Sequence, residues 1–486
     1  MRITRSYAVD YGLPLVLALA GVSLRVLFMR DFLGEWDEVD FALAMKDYDI
    51  IADQPHFPGY PIFIWLCQIL RPVTHDDIKA LTLTNALLGG LTTIPLYYLA
   101  RNMYSQKVAI LAVCLFITNP LCWLQSEGAM SDTTGLFFLL LSILILHRAY
   151  LFPNDATVTL PLGAALMGVT FGARLSYLPF LVFLGYILTC HFGKYNIRKG
   201  YLYALGALVL GTLVWLIPLV TSTAGLKGLS SQAVVFAGGH FTDWGGSAIT
   251  SPDLFYRLEQ ILWCLFCHGL GLWWQDTSYT RIIPTLIFLM GIAVFLKKTS
   301  QESKVGLIFA MVLPYILWVF LAQNIEKPRH MLPAIPFVLI CISMGILNIS
   351  KNKGLVAILA VLAVFTTGIS SLRLVTAQEH TPPPSLQLID YVRSNFDKLS
   401  TRIYCGESKR LFKYYAPGWD ARRVRGIEGL KYDLGASLRP PEVVLATSQV
   451  KGTPEEGVIL CKFKGDRYIF TPYHEIVLYK INPKDL

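Results

Sequence analysis

The sequence predicts a polytopic α-helical membrane protein with a soluble α/β domain of about 100 residues at its C-terminal end. The chain of 486 residues is 54% hydrophobic and only 15% charged, and its mean hydropathy is +0.50. Its apolar residues fall into separate runs, many of which approach the roughly 20 residues needed to cross a bilayer. After Arg373 these runs stop and charged residues become frequent.

The apolar runs are predicted to form about 11 transmembrane helices. The predicted spans are 11–29, 79–100, 107–124, 132–148, 158–174, 175–192, 200–221, 281–296, 305–322, 331–350 and 354–373. Two further apolar stretches, 61–71 and 255–274, are predicted to lie at the interface. The first is too short to span, and the second would carry Arg257, Glu259 and His268 into the bilayer.

Lys and Arg residues in the short loops alternate across these spans. One side receives Arg2, Arg5, Arg101, Lys107, Arg148, Lys194, Arg198, Lys199, Lys297, Lys298, Lys304, Lys351 and Lys353. Basic loops mark the cytoplasmic face, so the N-terminus is predicted to be cytoplasmic and loops 30–78 and 222–280 to be external. The net charge of +9 then reflects membrane orientation, and no nucleic-acid partner is expected.

Residues 1–374 are predicted to form the membrane domain, and residues 375–486 an external α/β domain. The run Pro382–Pro384 is a stiff break near the start of this domain. Apolar spacing and β-forming residues predict one helix and three strands, at 386–396, 402–405, 442–446 and 476–481. Cys405 and Cys461 lie here and could form a disulfide bond in an external domain.

Residues 35–61 contain a concentrated group of acids. Eight Asp or Glu residues lie between Asp31 and Asp53. Ionised carboxylates are costly inside hydrocarbon, so this loop is expected in water or at the membrane interface. The adjacent Asp37 and Glu38 suit a general base held at headgroup level. A solvated acidic loop that only helps to fix orientation is the alternative interpretation.

Two further candidates lie at the predicted external ends of spans. Asp132 opens the fourth span, where it is either a helix N-cap or a second carboxylate of the same site. Arg174 lies between two closely spaced spans. It is either an anchor that reaches the headgroups or a ligand for phosphate.

The stretch 326–336 brings three basic side chains to the external entry of a span. Lys327, Arg329 and His330 surround Pro328 and precede Pro333. Arginine stays charged and offers a planar fork of donors that matches phosphate. The stretch is therefore predicted to bind an anionic phosphate, with an interfacial anchor as the alternative.

These motifs resemble known membrane glycosyltransferases. The run Asp37-Glu38-Val39-x-Phe41, followed by Asp53-x-x-His56-x-Pro58, looks like the first external loop of protein O-mannosyltransferases. There an Asp-Glu-Val-His-Phe run precedes Asp-Val-His-Pro-Pro, so the present chain has Asp40 in place of His. The run 329–336 is similar to the Arg-Tyr-Leu-Leu-Pro-x-x-Pro motif of bacterial GT-C enzymes such as aminoarabinose transferases.

The resemblance implies a GT-C fold and transfer of a hexose or pentose from a polyprenyl-phosphate donor to a protein, lipid or glycan acceptor. The catalytic residues would be Asp37, Glu38 and Asp132. The substrate-binding residues would be His56, Arg174, Lys327, Arg329 and His330. No cofactor is required by such a mechanism, because cations can stabilise the leaving phosphate. The carboxylates could nevertheless bind a divalent cation.

Two other classes of function are compatible with the sequence. A flippase or transporter of lipid-linked sugars would place charges near the middle of the bilayer on broken helices, in related halves. Here the acids cluster at one face, which favours an enzyme. A scaffold without activity is the third alternative. Paired external acids opposite external arginines argue against it.

Overall fold

The computed structural model describes residues 11–195, 198–274, 277–299, 303–437, 441–452, 458–471 and 473–482. Arg2 and Arg5, which contribute to the predicted orientation, lie outside the described residues. The N-terminal half is helical. Its helices are α1 (Leu13–Leu27), α2 (Trp36–Ala44), α3 (Pro61–Thr74), α4 (Asp77–Leu91), α5 (Thr93–Met103), α6 (Gln106–Ile117), α7 (Pro120–Glu127), α8 (Asp132–Leu151), α9 (Ala156–Ala173), α10 (Leu181–Tyr195) and α11 (Arg198–Ser222).

The helical part continues almost to residue 400. Its remaining helices are α12 (Leu226–Gly239), α13 (Leu254–Leu262), α14 (Ile282–Thr299), α15 (Ser303–Ala322), α16 (Ile335–Ile346), α17 (Lys353–His380) and α18 (Pro384–Asn395). Short 3₁₀ or π turns join several of them. The turns that bear on the site are Leu175–Phe180, His240–Trp244, Trp263–Gly269, Tyr279–Arg281 and Pro328–Ala334.

Among the described residues, six helical segments are long and apolar enough to cross a membrane, and a bent pair makes up to seven. The six are Asp132–Leu151, Pro153–Ala173, Gly200–Ser222, Tyr279–Lys298, Pro328–Ile346 and Lys353–Asn395. Shorter apolar helices occupy Leu13–Leu27, Pro61–Thr74, Leu175–Cys190 and Gly306–Ala322. Length and composition alone therefore do not confirm the predicted count of about 11.

Two of the predicted spans are broken helices. The span predicted at 107–124 consists of α6 and α7, which meet at an angle of 55°. The break has a local cause. The side chain of Asn119 accepts a hydrogen bond from the Cys122 amide at 2.9 Å, and Pro120 has no amide hydrogen to continue α6. The span predicted at 79–100 is likewise divided between α4 and α5.

The C-terminal part is a small α/β domain. Its strands are β1 (Thr401–Tyr404), β2 (Asp420–Arg422), β3 (Val443–Thr447), β4 (Val458–Lys464) and β5 (Glu475–Ile481), and its further helices are α19 (Lys409–Tyr415) and α20 (Ile427–Gly435). The strand order is β2-β1-β3-β5-β4, parallel from β2 to β3 and antiparallel beyond. The predicted helix and three strands are confirmed, whereas β2, β4, α19 and α20 were not predicted. Cys405 and Cys461 are not joined by a disulfide bond.

The C-terminal domain shares a hydrophobic core with the loop between α1 and α4. Helix α19 packs directly against α2. One buried cluster draws residues from both parts, including Val39, Phe41, Phe63 and Ile64 from the loop and Leu388, Ile403, Leu411 and Phe412 from the domain. The domain therefore covers and supports the acidic stretch.

Candidate functional site

The acidic stretch begins with a carboxylate that is used by the fold. Glu38 is only 1% exposed. It forms an ion pair with Arg30 and accepts hydrogen bonds from the amides of Gly34 at 2.7 Å and Ala129 at 3.2 Å. It also accepts the Glu35 amide at 3.3 Å, which closes the first turn of α2. The sequence suggests an open carboxylate beside Asp37, but the structure gives Glu38 a positioning role.

Close packing around this carboxylate requires glycine at position 128. A Cβ added to Gly128 would lie 2.0 Å from Nη2 of Arg30 and 3.1 Å from Oε1 of Glu38. The turn at residues 128–130 is also held by the side-chain amide of Asn85, which donates to the carbonyl oxygens of Gly128 at 2.7 Å and Met130 at 2.6 Å. The turn leading to Asp132 is thus fixed from two sides.

Asp37 points the other way and meets Arg329. The Arg329 guanidinium is 5% exposed and lies in the 3₁₀ turn before α16. Its Nη2 lies 2.6 Å from Oδ2 of Asp37, while Nη1 binds the Glu35 carboxylate. The guanidinium thus bridges two acids, with one terminal nitrogen on each carboxylate. The two residues most strongly implied by the sequence are brought into direct contact.

Lys327 and His330 flank this arginine differently. The positive charge of Lys327 lies close enough to Asp37 to lower the pKa of that carboxyl group. His330 is buried, and its Nδ1 lies 2.8 Å from the carbonyl oxygen of Asn324. Its own carbonyl accepts a hydrogen bond from the Tyr315 hydroxyl at 2.9 Å. His330 therefore holds the turn, and Lys327 is the better placed of the two to meet a ligand.

His56 lies on the opposite side of Asp37. Its Nδ1 is 3.2 Å from Oδ2 of Asp40 and 4.0 Å from Oδ1 of Asp37, and its Nε2 is 3.0 Å from the Tyr60 hydroxyl. Gly59 makes this turn possible, because its φ is +87° and an added Cβ would lie 2.5 Å from the Tyr48 hydroxyl. His56 is thus held between an acid and a phenol.

Asp132 and Arg174 bind each other. Nη2 of Arg174 is 3.0 Å from Oδ1 of Asp132, and Nη1 donates to the Ser131 hydroxyl at 3.1 Å. Both side chains are buried, and the Arg174 guanidinium lies over the Tyr60 ring at 5.7 Å. The hydroxyl of Tyr177 donates to the Asp132 carbonyl at 3.1 Å. This buried ion pair lies next to the contact of Asp37 with Arg329. Neither of its side chains is exposed enough to bind a ligand directly.

The two acids at the site have opposite pKa shifts. Burial disfavours ionisation of Asp37, but the charges of Lys327, His56 and Arg329 outweigh it and hold its pKa well below the usual range. Burial dominates at Asp40 and raises its pKa to about 6, against the opposing effects of His56 and Arg410. Asp37 is thus an ionised carboxylate, and Asp40 titrates near neutral pH.

Sequence reasoning missed the contribution of the C-terminal domain. Nε of Arg410 lies 2.9 Å from Oδ1 of Asp40, and its Nη2 lies 3.2 Å from Oδ2 of Asp53. Asp40 is completely buried between His56 and Arg410, whereas the loop motif marks it only as a departure from the family pattern. Glu35 was missed as well, although it belongs to the same run of acids. No local signal at Arg410 indicates this contact, because its partners are more than 350 residues away.

A cleft opens beside the Arg329 contact and contains about 740 Å³ of empty space, its open mouth included. Its lining includes Glu35, Lys327 and Arg329 from the site already described. It also includes Arg281 from the membrane part and Tyr468 from the C-terminal domain. The cleft therefore joins the Arg329 contact to the boundary between the two domains.

No group of three or more His, Cys, Asp or Glu side chains in the described ranges is arranged to hold a metal ion. The two carboxylates nearest to a potential ligand, Glu35 and Asp37, are already bound to Arg329.

The sequence and fold are similar to those of membrane glycosyltransferases. Residues 53–218 match the family model described as dolichyl-phosphate-mannose-protein mannosyltransferase. ArnT from Cupriavidus metallidurans, solved bound to undecaprenyl phosphate, aligns with a TM-score of 0.57 at 11% identity over 97% of this chain and 98% of its own. No curated protein matches the sequence.

A second structural relative has a larger chain. The oligosaccharyltransferase AglB from Archaeoglobus fulgidus, in complex with an inhibitory peptide and a dolichol-phosphate, aligns with a TM-score of 0.51 at 13% identity. The alignment covers 91% of this chain and 70% of AglB. The fold is thus that of the GT-C class of membrane proteins. Within that class, the chain is a protein similar to the O-mannosyltransferases and ArnT.

Proposed function

We propose that this protein is a glycosyltransferase that moves a sugar from a polyprenyl-phosphate donor to an acceptor at the external face of the membrane. The contact of Asp37 with Arg329 carries the proposal, because it places an ionised carboxylate beside a buried cation where an apolar helix begins. A sugar phosphate with a lipid tail has its reacting bond at that depth. Similarity to a mannosyltransferase family and to proteins solved with polyprenyl phosphates supports the same donor class.

The donor phosphate would bind on the side of Lys327 and His56. It would displace Glu35, whose side chain is 40% exposed, from the Arg329 fork. The imidazole of His56 lies against the ring of Phe236, with centroids 6.1 Å apart, at the end of α12. Exposed apolar side chains on the neighbouring α11 and α12, such as Val214 and Val234, would accompany the lipid chain.

The reaction would be a single displacement. The acceptor hydroxyl oxygen attacks the anomeric carbon, the bond from that carbon to the phosphate oxygen breaks, and polyprenyl phosphate leaves. Arg329 and Lys327 would stabilise the leaving phosphate, which is often the largest contribution to such a reaction. Asp37 would accept the proton. A bound phosphate offsets the cations that lower the pKa of Asp37, so donor binding makes the carboxylate more basic.

In this mechanism four predicted site residues act indirectly, and one of them is His330, which holds the turn that carries Arg329. Glu38 fixes the first turn of α2, and the buried ion pair of Asp132 with Arg174 packs beside Asp37. We further propose eleven spans, counting the shorter apolar helices and the broken segments, with a cytoplasmic N-terminus. The α/β domain of residues 375–486 would then lie outside, over the reacting groups.

The test is a transfer assay with the purified full chain and a panel of polyprenyl-phosphate pentoses and hexoses, scoring release of polyprenyl phosphate and glycosylation of added acceptors. Asp37→Asn should lower turnover about 10²–10⁴-fold and keep donor binding, because Arg329 and Lys327 are unchanged. The exposed Asp31→Asn is the matched control in the same loop and should retain full activity. Normal glycosylation by Asp37→Asn would remove the proposed base, and lipid movement without sugar release would indicate a transporter.

A further inference from the structure

The cleft is also lined by His268, Arg281 and Tyr468, and Arg467 packs against Tyr468. We call these four residues the Arg281 cluster. The guanidinium groups of Arg281 and Arg467 each lie 5.0 Å from the centre of the Tyr468 ring. The ring of His268 lies 5.1 Å from the same centre. Both domains therefore contribute to one basic, aromatic surface, which the proposed transfer reaction does not use.

Arg281 is a buried cation without an acidic partner among the described residues. It is 7% exposed, and its hydrogen-bonding contact is a long one of 3.9 Å from Nη1 to the Cys267 sulfur. Arg174 and Arg329, the buried arginines of the proposed reaction site, each form an ion pair. A buried charge is costly unless it is paired. This arrangement favours an anion as the missing partner.

Two further buried groups in the cleft have no hydrogen-bond partner within the part of the chain that the structure describes. Nε2 of His268 is unsatisfied, although the residue is 93% removed from solvent. Burial first, and then the charges of Arg281 and Arg467, lower the pKa of His268 to about 3, so its imidazole is neutral and can donate from one nitrogen. The side-chain oxygen of Gln378 is also unsatisfied and can accept from a hydroxyl.

We propose that the Arg281 cluster binds the acceptor, and that the acceptor is a sugar carrying a phosphate or carboxylate group. Arg281 would bind the anion, His268 would donate to it, and Gln378 would accept from a sugar hydroxyl. The proposal rests on the proposed transferase function and narrows its acceptor to an anionic glycan or glycolipid. The same cleft is lined by Arg329, which contacts Asp37, so an acceptor held there would lie in the cleft that adjoins the proposed base.

The binding test uses labelled glucose 6-phosphate and glucose at equal ionic strength, by equilibrium dialysis against the detergent-purified full chain. Glucose 6-phosphate should bind and glucose should not. Arg281→Met should weaken binding of the phosphate probe roughly 10- to 100-fold, as expected for loss of hydrogen bonds to a charged group. Arg281→Lys should retain only part of the wild-type affinity for glucose 6-phosphate, because an ammonium group lacks the planar fork of donors. Binding of undecaprenyl phosphate by both variants shows that they are folded.

Arg329→Ala is the reciprocal control and should lose undecaprenyl phosphate while keeping glucose 6-phosphate. Equal binding of glucose 6-phosphate by wild type and Arg281→Met would overturn the proposal. Binding of phosphatidylglycerol nanodiscs that is lost in Arg281→Met, without binding of glucose 6-phosphate, would assign the cluster to a lipid headgroup and also overturn the proposal. If the protein glycosylates a neutral peptide and Arg281→Met does so equally well, the proposed anionic acceptor is wrong. Sugar-phosphate binding without any donor turnover would instead count against the transferase function alone.

Discussion

Replacing Glu38 with Gln tests whether this carboxylate stabilises the fold or takes part in the reaction. In the wild type the carboxylate is 1% exposed, is paired with Arg30 and accepts amide hydrogen bonds from three residues. A glutamine oxygen can keep part of the amide contacts. Its NH₂ group must then replace either Oε1, where it faces the Arg30 guanidinium and the Ala129 amide, or Oε2, where it faces the amides of Gly34 and Glu35; all of these groups are donors. The substitution thus leaves a buried cation without its counter-charge.

The expected loss is roughly 3–5 kcal/mol of unfolding free energy, the usual cost of removing one partner of a buried ion pair. Unfolding of the full chain in detergent, followed by tryptophan fluorescence, measures it. Arg30→Met combined with Glu38→Gln should recover part of the loss, because the unpaired charge is then absent. Glu35→Gln is the matched control: its side chain is 40% exposed, so the change should be within about 1 kcal/mol.

Activity decides between the two roles for Glu38. At a temperature where the variant is folded, Glu38→Gln should retain most of its turnover, whereas Asp37→Asn should not. A variant as stable as the wild type but inactive would refute the reasoning, since the carboxylate would then act in the reaction and not in the fold.

Three further outcomes are expected. Arg329→Ala should lower release of polyprenyl phosphate about 10²–10³-fold, and Arg329→Lys should recover little of it; full activity of the Ala variant would assign Arg329 to anchoring. The pKa of Asp40 is about 6, against 3.8 as the ordinary value, so the folded protein binds more protons than the unfolded one between about pH 4 and 6. Asp40 should thus make the unfolding free energy fall as pH rises through that window, and Asp40→Asn should flatten this slope in denaturation at several pH values. Chelation with EDTA should leave turnover unchanged, because Arg329 and Lys327 are proposed to stabilise the leaving phosphate; loss restored by Mg²⁺ or Mn²⁺ would contradict that assignment.

The sequence predicts those parts of the site that depend on local chemistry. Asp37 and Arg329 could be chosen as candidates because each belongs to a short motif rich in charged residues, and the structure brings the two into contact. The strands of the C-terminal domain could be predicted from runs of apolar β-formers. The break after α6 also has a local signal in Asn119 and Pro120, although the hydropathy pattern there is continuous.

Contacts between distant segments could not be predicted in this way. Arg410 sits in an ordinary basic run, and nothing nearby indicates that it reaches Asp40. Glu38 could not be distinguished from Asp37, because neighbouring residues on a helix point about 100° apart and either one could have faced the ligand. Arg281 stands out only because it is buried without an acidic partner among the described residues. The sequence does not show either its burial or its neighbours.

The core shared by the acidic loop and the C-terminal domain has a consequence for biosynthesis. Phe41 and Leu411 belong to one buried cluster but are about 370 residues apart. At a synthesis rate of about 5–20 residues per second, some 20–70 s pass between their appearance at the ribosome. During that interval α2 is made but lacks the apolar side chains that cover it in the folded protein. Completion of this shared core therefore depends on synthesis of both segments.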